Sequence, residues 1–119
     1  MKKILIVEDV AVNVDLLTQL LEDDYRLVVA ADGARGVALA EQERPDLILL
    51  DMSLPIMDGY EAARRIRANE ALVQIPIIGL SAHAMSGDAD RARAAGCDGY
   101  LTKPIDDEAL FSTLKAYLG

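Results

Sequence analysis

A single cysteine, Cys97, rules out an internal disulfide. That suits a reducing compartment, and a cytoplasmic location is expected. No apolar stretch reaches the roughly 18 residues that a membrane-crossing helix needs. The opening MKKILIVED has the charge of a secretory leader but little else. Its apolar run, Ile4 to Val7, is cut short by Glu8 and Asp9, and no small-residue cleavage site follows. Positive charge is scarce: 12 Lys and Arg stand against 20 Asp and Glu, a net charge of -8. Such a balance disfavours direct contact with nucleic acid. Linkers, repeats and low-complexity tracts are missing too. What remains is 119 residues, 52% of them hydrophobic, which is one domain able to bury a real core.

The organising stretch is residues 45–59, PDLILLDMSLPIMDG. Leu47 to Leu50 run without alternation, as in a strand buried on both faces of a parallel sheet. The run ends on Asp51. Pro55 and Gly59 break the chain, and Asp58 with Glu61 three residues on can cap a new helix. Before it, Ile4 to Val7 read as another buried strand ending on Glu8 and Asp9. Val12, Leu16, Leu17, Leu20 and Leu21 recur at helical spacing, which predicts a helix over about 11–22. Residues 26–30 read as a strand nearer the sheet edge, 34–43 as a short helix, and 46–50 as the central strand. After it come a helix from Asp58 to about Ala68 and a strand at 77–80 ending at Ser81. Ser86 can cap a helix through Ala95, closed by Gly96. Its apolar side chains are alanines only, so loose packing and mobility are expected of it. A last strand at 99–102 leads to Lys103-Pro104 and an acid-started helix whose apolar face includes Ala109, Leu110, Leu114, Tyr117 and Leu118. Strand and helix alternate five times, which implies an α/β fold with a parallel sheet covered on both faces. The chain ends with the fifth helix, so one stand-alone domain over 1–119 is expected.

The strands end on polar groups of different kinds: Glu8 and Asp9, Asp51, Ser81, Lys103. In a doubly wound sheet these ends meet on one rim, where ligands bind. Three carboxylates there repel; two at 4 Å cost about 4 kcal/mol at an effective dielectric of 20. A hard divalent cation such as Mg²⁺ relieves that repulsion. Lys103 can pair with an anion, and the Ser81 hydroxyl can donate to an oxyanion. Carboxylate nucleophile, metal, ammonium and hydroxyl together suit transfer of a phosphoryl group onto Asp51.

With Glu8-Asp9, Asp51, Pro55, Asp58-Gly59, Ser81-Ala82, Tyr100 and Lys103-Pro104 in this order, the whole chain resembles the receiver domains of two-component response regulators. Asn13, SAHAMSGD and GCDGYLTKPI are similar to stand-alone cell-division regulators and hybrid-kinase receivers. The resemblance implies a flavodoxin-like sheet of order 2-1-3-4-5. It implies phosphorylation of Asp51 by a histidine kinase or histidine phosphotransfer protein, and a downstream protein target. It implies that Asp9 and Asp51 bind Mg²⁺ directly, with the Ser53 carbonyl as a third ligand and Glu8 acting through water. Ser81 and Lys103 would contact the phosphoryl group, Tyr100 would change rotamer, and Lys103-Pro104 would be a cis peptide.

Each of these residues has a plainer role when taken alone: Asp51 a capping acid, Lys103 a solvated lysine, Tyr100 a half-buried strand tyrosine. The set in order outweighs those roles. His83 reads as a surface residue near the pocket mouth, Cys97 as packing, and Met52, Met57 and Met85 as fillers. Ser53 and His83 flank the expected path of an attacking water. An aspartyl phosphatase would need a general acid two residues after the nucleophile, where Ser53 stands. A flavin carrier of this fold would need a hydroxyl-rich loop where EDVAV stands, and a binding-only relative would have lost part of the pocket. The expected function is therefore a signalling switch that catalyses only its own phosphorylation and dephosphorylation, not a turnover enzyme. The alternative is a phosphorelay intermediate or the receiver of a hybrid kinase.

Overall fold

Apolar runs become buried strands, and the polar residues that end them become one rim. The computed structural model describes residues 1–54, 56–82 and 87–119. In chain order the elements are β1 (Lys3–Val7), α1 (Ala11–Leu21), β2 (Arg26–Ala30), α2 (Gly33–Glu43), β3 (Leu47–Asp51), α3 (Gly59–Ala68), a 3₁₀ turn (Glu70–Leu72), β4 (Ile77–Ser81), α4 (Asp88–Ala95), β5 (Gly99–Thr102) and α5 (Asp107–Leu118). The strands pair in parallel in the order β2-β1-β3-β4-β5, as expected. Chain order reverses between β1 and β3, and that crevice is where such sheets place their sites.

The strand period of two divides the core into two layers. Ile4, Ile6, Leu47, Leu49, Ile78 and Leu80 meet Leu17 and Leu21 of α1 and Leu110 and Leu114 of α5. Leu5, Val7, Ile48, Leu50 and Ile77 meet Ala40, Ala62, Ala63 and Ile66 of α2 and α3, and Ala92 and Ala95 of α4. Central β3 is buried along its whole length. By the same alternation Asp51 belongs to the α1/α5 side, while Tyr100 packs on the α2–α4 side.

Local chemistry sets the helix ends. The carboxylates of Asp32, Asp58 and Asp106 accept from backbone N–H groups of α2, α3 and α5. The expected reciprocal bond from Glu61 is not made, because its carboxylate turns forward to Arg64 and Arg65. These two arginines hold it below the ordinary carboxylate range. α1 has no side-chain cap, since the residues before it belong to the acidic rim. α4 begins after Gly87 and ends at Gly96, which sits at φ 115°. An added Cβ at Gly96 would lie 2.4 Å from Cγ of Arg67.

Arg67 clasps the end of the sheet opposite the acidic rim. Its guanidinium donates to the carbonyls of Gly96 (2.8 Å), Leu72 (3.2 Å) and Ile75 (2.8 Å), and pairs with the Asp98 carboxylate. Asp98 also accepts from the Ile77 N–H at 2.9 Å.

Two expectations need correction, and one element is new. The apolar positions of α1 span about 180° of the helix at 100° per residue. That is wider than the buried stripe: Leu17 and Leu21 are buried and Leu20 packs beside them, but Val12 is 70% exposed and Leu16 39%. Tyr117 of α5 lies at the helix flank, 42% exposed, with its hydroxyl donating to the Asp98 carbonyl. The turn at Glu70–Leu72 was not anticipated; it buries Leu72. Pro55, His83, Met85 and Ser86, given roles above, lie outside the described residues.

Candidate functional site

Glu8 follows β1 directly, and its N–H still bonds the Ala30 carbonyl of β2 at 3.0 Å. Its carboxylate therefore cannot leave the sheet edge, and the side chain is fully buried. One oxygen accepts from Lys103 Nζ at 2.6 Å and the other from the Val10 N–H at 3.1 Å. Asp51, 3% exposed, closes β3. Its Oδ1 accepts from the Ser53 N–H at 3.0 Å, and its Oδ2 lies 3.3 Å from Lys103 Nζ. Asp9 is exposed beside them. Glu8, Asp9 and Asp51 each bring a carboxylate oxygen within 4.8 Å of the others.

Lys103 is placed by the backbone: its N–H bonds the Ser81 carbonyl at 2.7 Å, extending β5 along β4. The Lys103-Pro104 peptide is cis. Burial pulls the lysine's proton affinity down, but the Glu8 hydrogen bond and the Asp51 charge outweigh it and hold the ammonium above its usual value. Three carboxylates against one ammonium leave two negative charges in excess (-3 + 1 = -2). Hard oxygen donors with that excess fit Mg²⁺.

The rim thus joins Glu8, Asp9, Asp51 and Lys103. Ser53 is exposed and linked to Asp51 through its N–H. Ser81 is 3% exposed at the end of β4. Tyr100, half-buried on β5, pairs in register with Gly79 of β4. Cys97 is 5% exposed, and burial pushes its thiol up to about 11, so it stays neutral and packs.

Two features of the rim escaped the sequence. Gly59 reads there as a chain break and as part of the Asp58-Gly59 pair, without the reason for a glycine: a Cβ on it would fall 2.4 Å from the Asp51 carbonyl oxygen. The first turn of α3 therefore rests directly on the backbone of Asp51, and an acid-glycine pair seven residues after a strand-end acid is the signal to look for. The other is Ile56, 88% exposed at φ 68°, a conformation that a β-branched residue adopts only under strain. Replacing Ile56 with Asn, which tolerates that region, should stabilise the fold by about 1 kcal/mol. A urea midpoint that fails to rise would count against the strain.

A doubly wound sheet with an acidic, lysine-bridged crevice at its switch point defines a flavodoxin-like phosphoryl-site domain. Residues 4–115 match the family model described as the response regulator receiver domain, and the chain belongs to that family. It is 39% identical to the polar-differentiation response regulator DivK of Brucella anthropi, over 99% of this chain and 97% of that protein. Among solved structures, it is similar to the receiver domain of a sensor histidine kinase from Pseudomonas aeruginosa, described with a magnesium ion coordinated in the active site cleft. There the TM-score is 0.90 and the identity 41%, covering 98% and 96% of the two chains. A further match is the receiver domain of the Saccharomyces cerevisiae response regulator Ssk1, solved with the histidine phosphotransfer protein Ypd1. That match has a TM-score of 0.89 and 28% identity, covering 98% and 88%.

Proposed function

We propose that this receiver domain, taken as the whole of residues 1–119, is a signalling switch set by a phosphoryl group on Asp51. The observation that carries the reading is Lys103 Nζ held between Glu8 and Asp51 in a crevice of excess negative charge. The donor is a phosphohistidine on a kinase or a phosphotransfer protein, the kind of partner Ypd1 is to the Ssk1 receiver. An Asp51 carboxylate oxygen forms a bond to phosphorus as the P–N bond to the donor imidazole breaks, and the imidazole leaves with its electron pair. Water later attacks the acyl phosphate, releasing inorganic phosphate and restoring the carboxylate.

The chain's own groups prepare this step. The Ser53 N–H holds one oxygen of Asp51, which fixes the carboxylate plane. Lys103 supplies a positive charge for a phosphoryl oxygen, and the Ser81 hydroxyl, at the adjoining strand end, donates to another. Asp9 and Asp51 would hold Mg²⁺ directly, with the Ser53 carbonyl. Glu8, both of whose oxygens are engaged, would act at one remove. When bound, the ion neutralises charge shared between the carboxylates and the incoming phosphoryl group. The chemistry starts and ends on the domain's own Asp51, so we read it as catalysing only its own phosphorylation and dephosphorylation rather than as a turnover enzyme.

Exposed apolar side chains beside the crevice, Val10, Val12, Leu16 and Ile56, suit a protein donor. Phosphorylation is proposed to turn Tyr100 inward behind Ser81 and alter the α4 and α5 faces that a downstream protein reads. Among the described residues no helix is long and apolar enough to cross a membrane, and we place the domain in the cytoplasm. Intact mass after incubation with acetyl phosphate and Mg²⁺ tests the reading. One hydroxylamine-labile phosphoryl group should be gained, and none in EDTA. No gain, or equal gain with and without EDTA, would sink it.

A further inference from the structure

Within α4, Arg93 pairs with Asp90 on its own helix at 3.1 Å. Arg91 does something different. Its guanidinium lies over the ring of Tyr60 in α3, 3.9 Å from the centroid. Apart from this stack, α4 buries only Ala92 and Ala95, and its end is held by the Arg67 clasp at Gly96. Among the described residues, Arg91 is thus the charged side chain that ties the body of α4 across to α3, as Arg67 ties its end.

Tyr60 is also tied to the site. It is the residue after Gly59, which rests on the Asp51 carbonyl. Its ring is 7% exposed in the core layer that Met52, Ala92 and Cys97 share, and Tyr100 packs against that layer. The Tyr60 hydroxyl is raised above its ordinary value by burial, with the Arg91 charge acting in the opposite sense and Asp88, Tyr100 and Cys97 adding to the rise. Tyr60 therefore sits where three things meet: the backbone of the phosphoacceptor strand, the tyrosine of β5, and the underside of α4. If Tyr100 turns inward it takes room beside Tyr60, and the ring that carries Arg91 must shift.

We propose that Tyr60 and Arg91 form a latch that holds α4 in the unphosphorylated position, and that its release is part of the response to phosphate on Asp51. Both are positioning residues. This inference rests on the switch reading above for its second half only, since the latch itself acts in the unphosphorylated protein. A cation–π contact whose arginine stays exposed is worth a population shift of about two- to fivefold.

The test uses two readouts on Arg91→Ala, Arg91→Lys, Tyr60→Leu and Tyr60→Phe. In the unphosphorylated protein, amide exchange over residues 88–95 should speed up by about two- to fivefold in Arg91→Ala and Tyr60→Leu. It should stay at the parent rate in Arg91→Lys and Tyr60→Phe, which keep a cation or a ring face. The rate of phosphorylation by acetyl phosphate should rise by a similar factor in the same two variants, because the competent state is already populated. Unchanged exchange in Arg91→Ala overturns the latch. Faster exchange with an unchanged phosphorylation rate overturns its coupling to the switch. A parent that takes up no phosphate would fail the functional reading and leave the exchange result to judge the latch alone.

Discussion

Asp51→Asn should take up no phosphoryl group from acetyl phosphate and Mg²⁺, a loss of more than about a hundredfold against the parent. The substitution keeps the size and shape of the side chain. Its amide oxygen can still accept the Ser53 N–H at the Oδ1 position. What it removes is the anionic oxygen proposed to attack phosphorus and one charge of the proposed cation-binding set. Folding should be little affected without metal. Excess negative charge in the crevice falls from two to one, and Lys103 keeps Glu8, its nearer partner at 2.6 Å. The variant should therefore melt no lower than the parent in EDTA while being silent in the mass assay. Labelling of Asp51→Asn as full as the parent's would place the phosphoryl group elsewhere.

The second large effect is on stability. Lys103→Ala leaves Glu8 fully buried with its ammonium partner gone. Breaking a buried pair costs about 3–5 kcal/mol, and because Lys103 itself is partly exposed the cost here falls at or below the bottom of that range, roughly 2–3 kcal/mol. Urea unfolding in EDTA should show this loss, and millimolar Mg²⁺ should recover part of it by supplying positive charge to the same carboxylates. The pH dependence follows from the raised value of Lys103. A raised cation contributes stability that is complete below its unfolded value, here taken as 10.5, and is lost as pH climbs through the higher folded value. The gap between parent and variant should be flat from neutral pH upward and close only in strong alkali. A variant as stable as the parent in EDTA would mean that Glu8 finds another partner.

Much of this was legible because strand and site obey simple periods. A run such as Leu47 to Leu50 admits burial on both faces, and an acid at its end has one rim to occupy. Asp58 and Asp106 declared helix starts through the chemistry of an N-terminus. Less legible was anything set by width or by distance in sequence. Helical spacing marks Val12 and Leu17 alike, but only neighbouring helices decide how wide a stripe is covered. Glu8 reads as a rim acid, but its full burial and its direct pairing at 2.6 Å with Lys103, 95 residues away, are marked by no local pattern. The Arg91–Tyr60 stack joins a charged side chain to an aromatic one 31 residues earlier. No periodicity marks such a pair.

The Arg67 clasp lies at one end of the sheet and the lysine-bridged carboxylates at the other. A five-residue strand separates them, about 16 Å at 3.3 Å per residue. Effects on folding stability at sites that far apart, whose side chains share no partner, add rather than interact. One end can be reinforced without retuning the other. A lineage could therefore alter how long the acyl phosphate lives by changing residues around the crevice, and offset any lost folding stability by changes around Arg67. The domain is built so that lifetime and robustness can be inherited, and engineered, as separate traits.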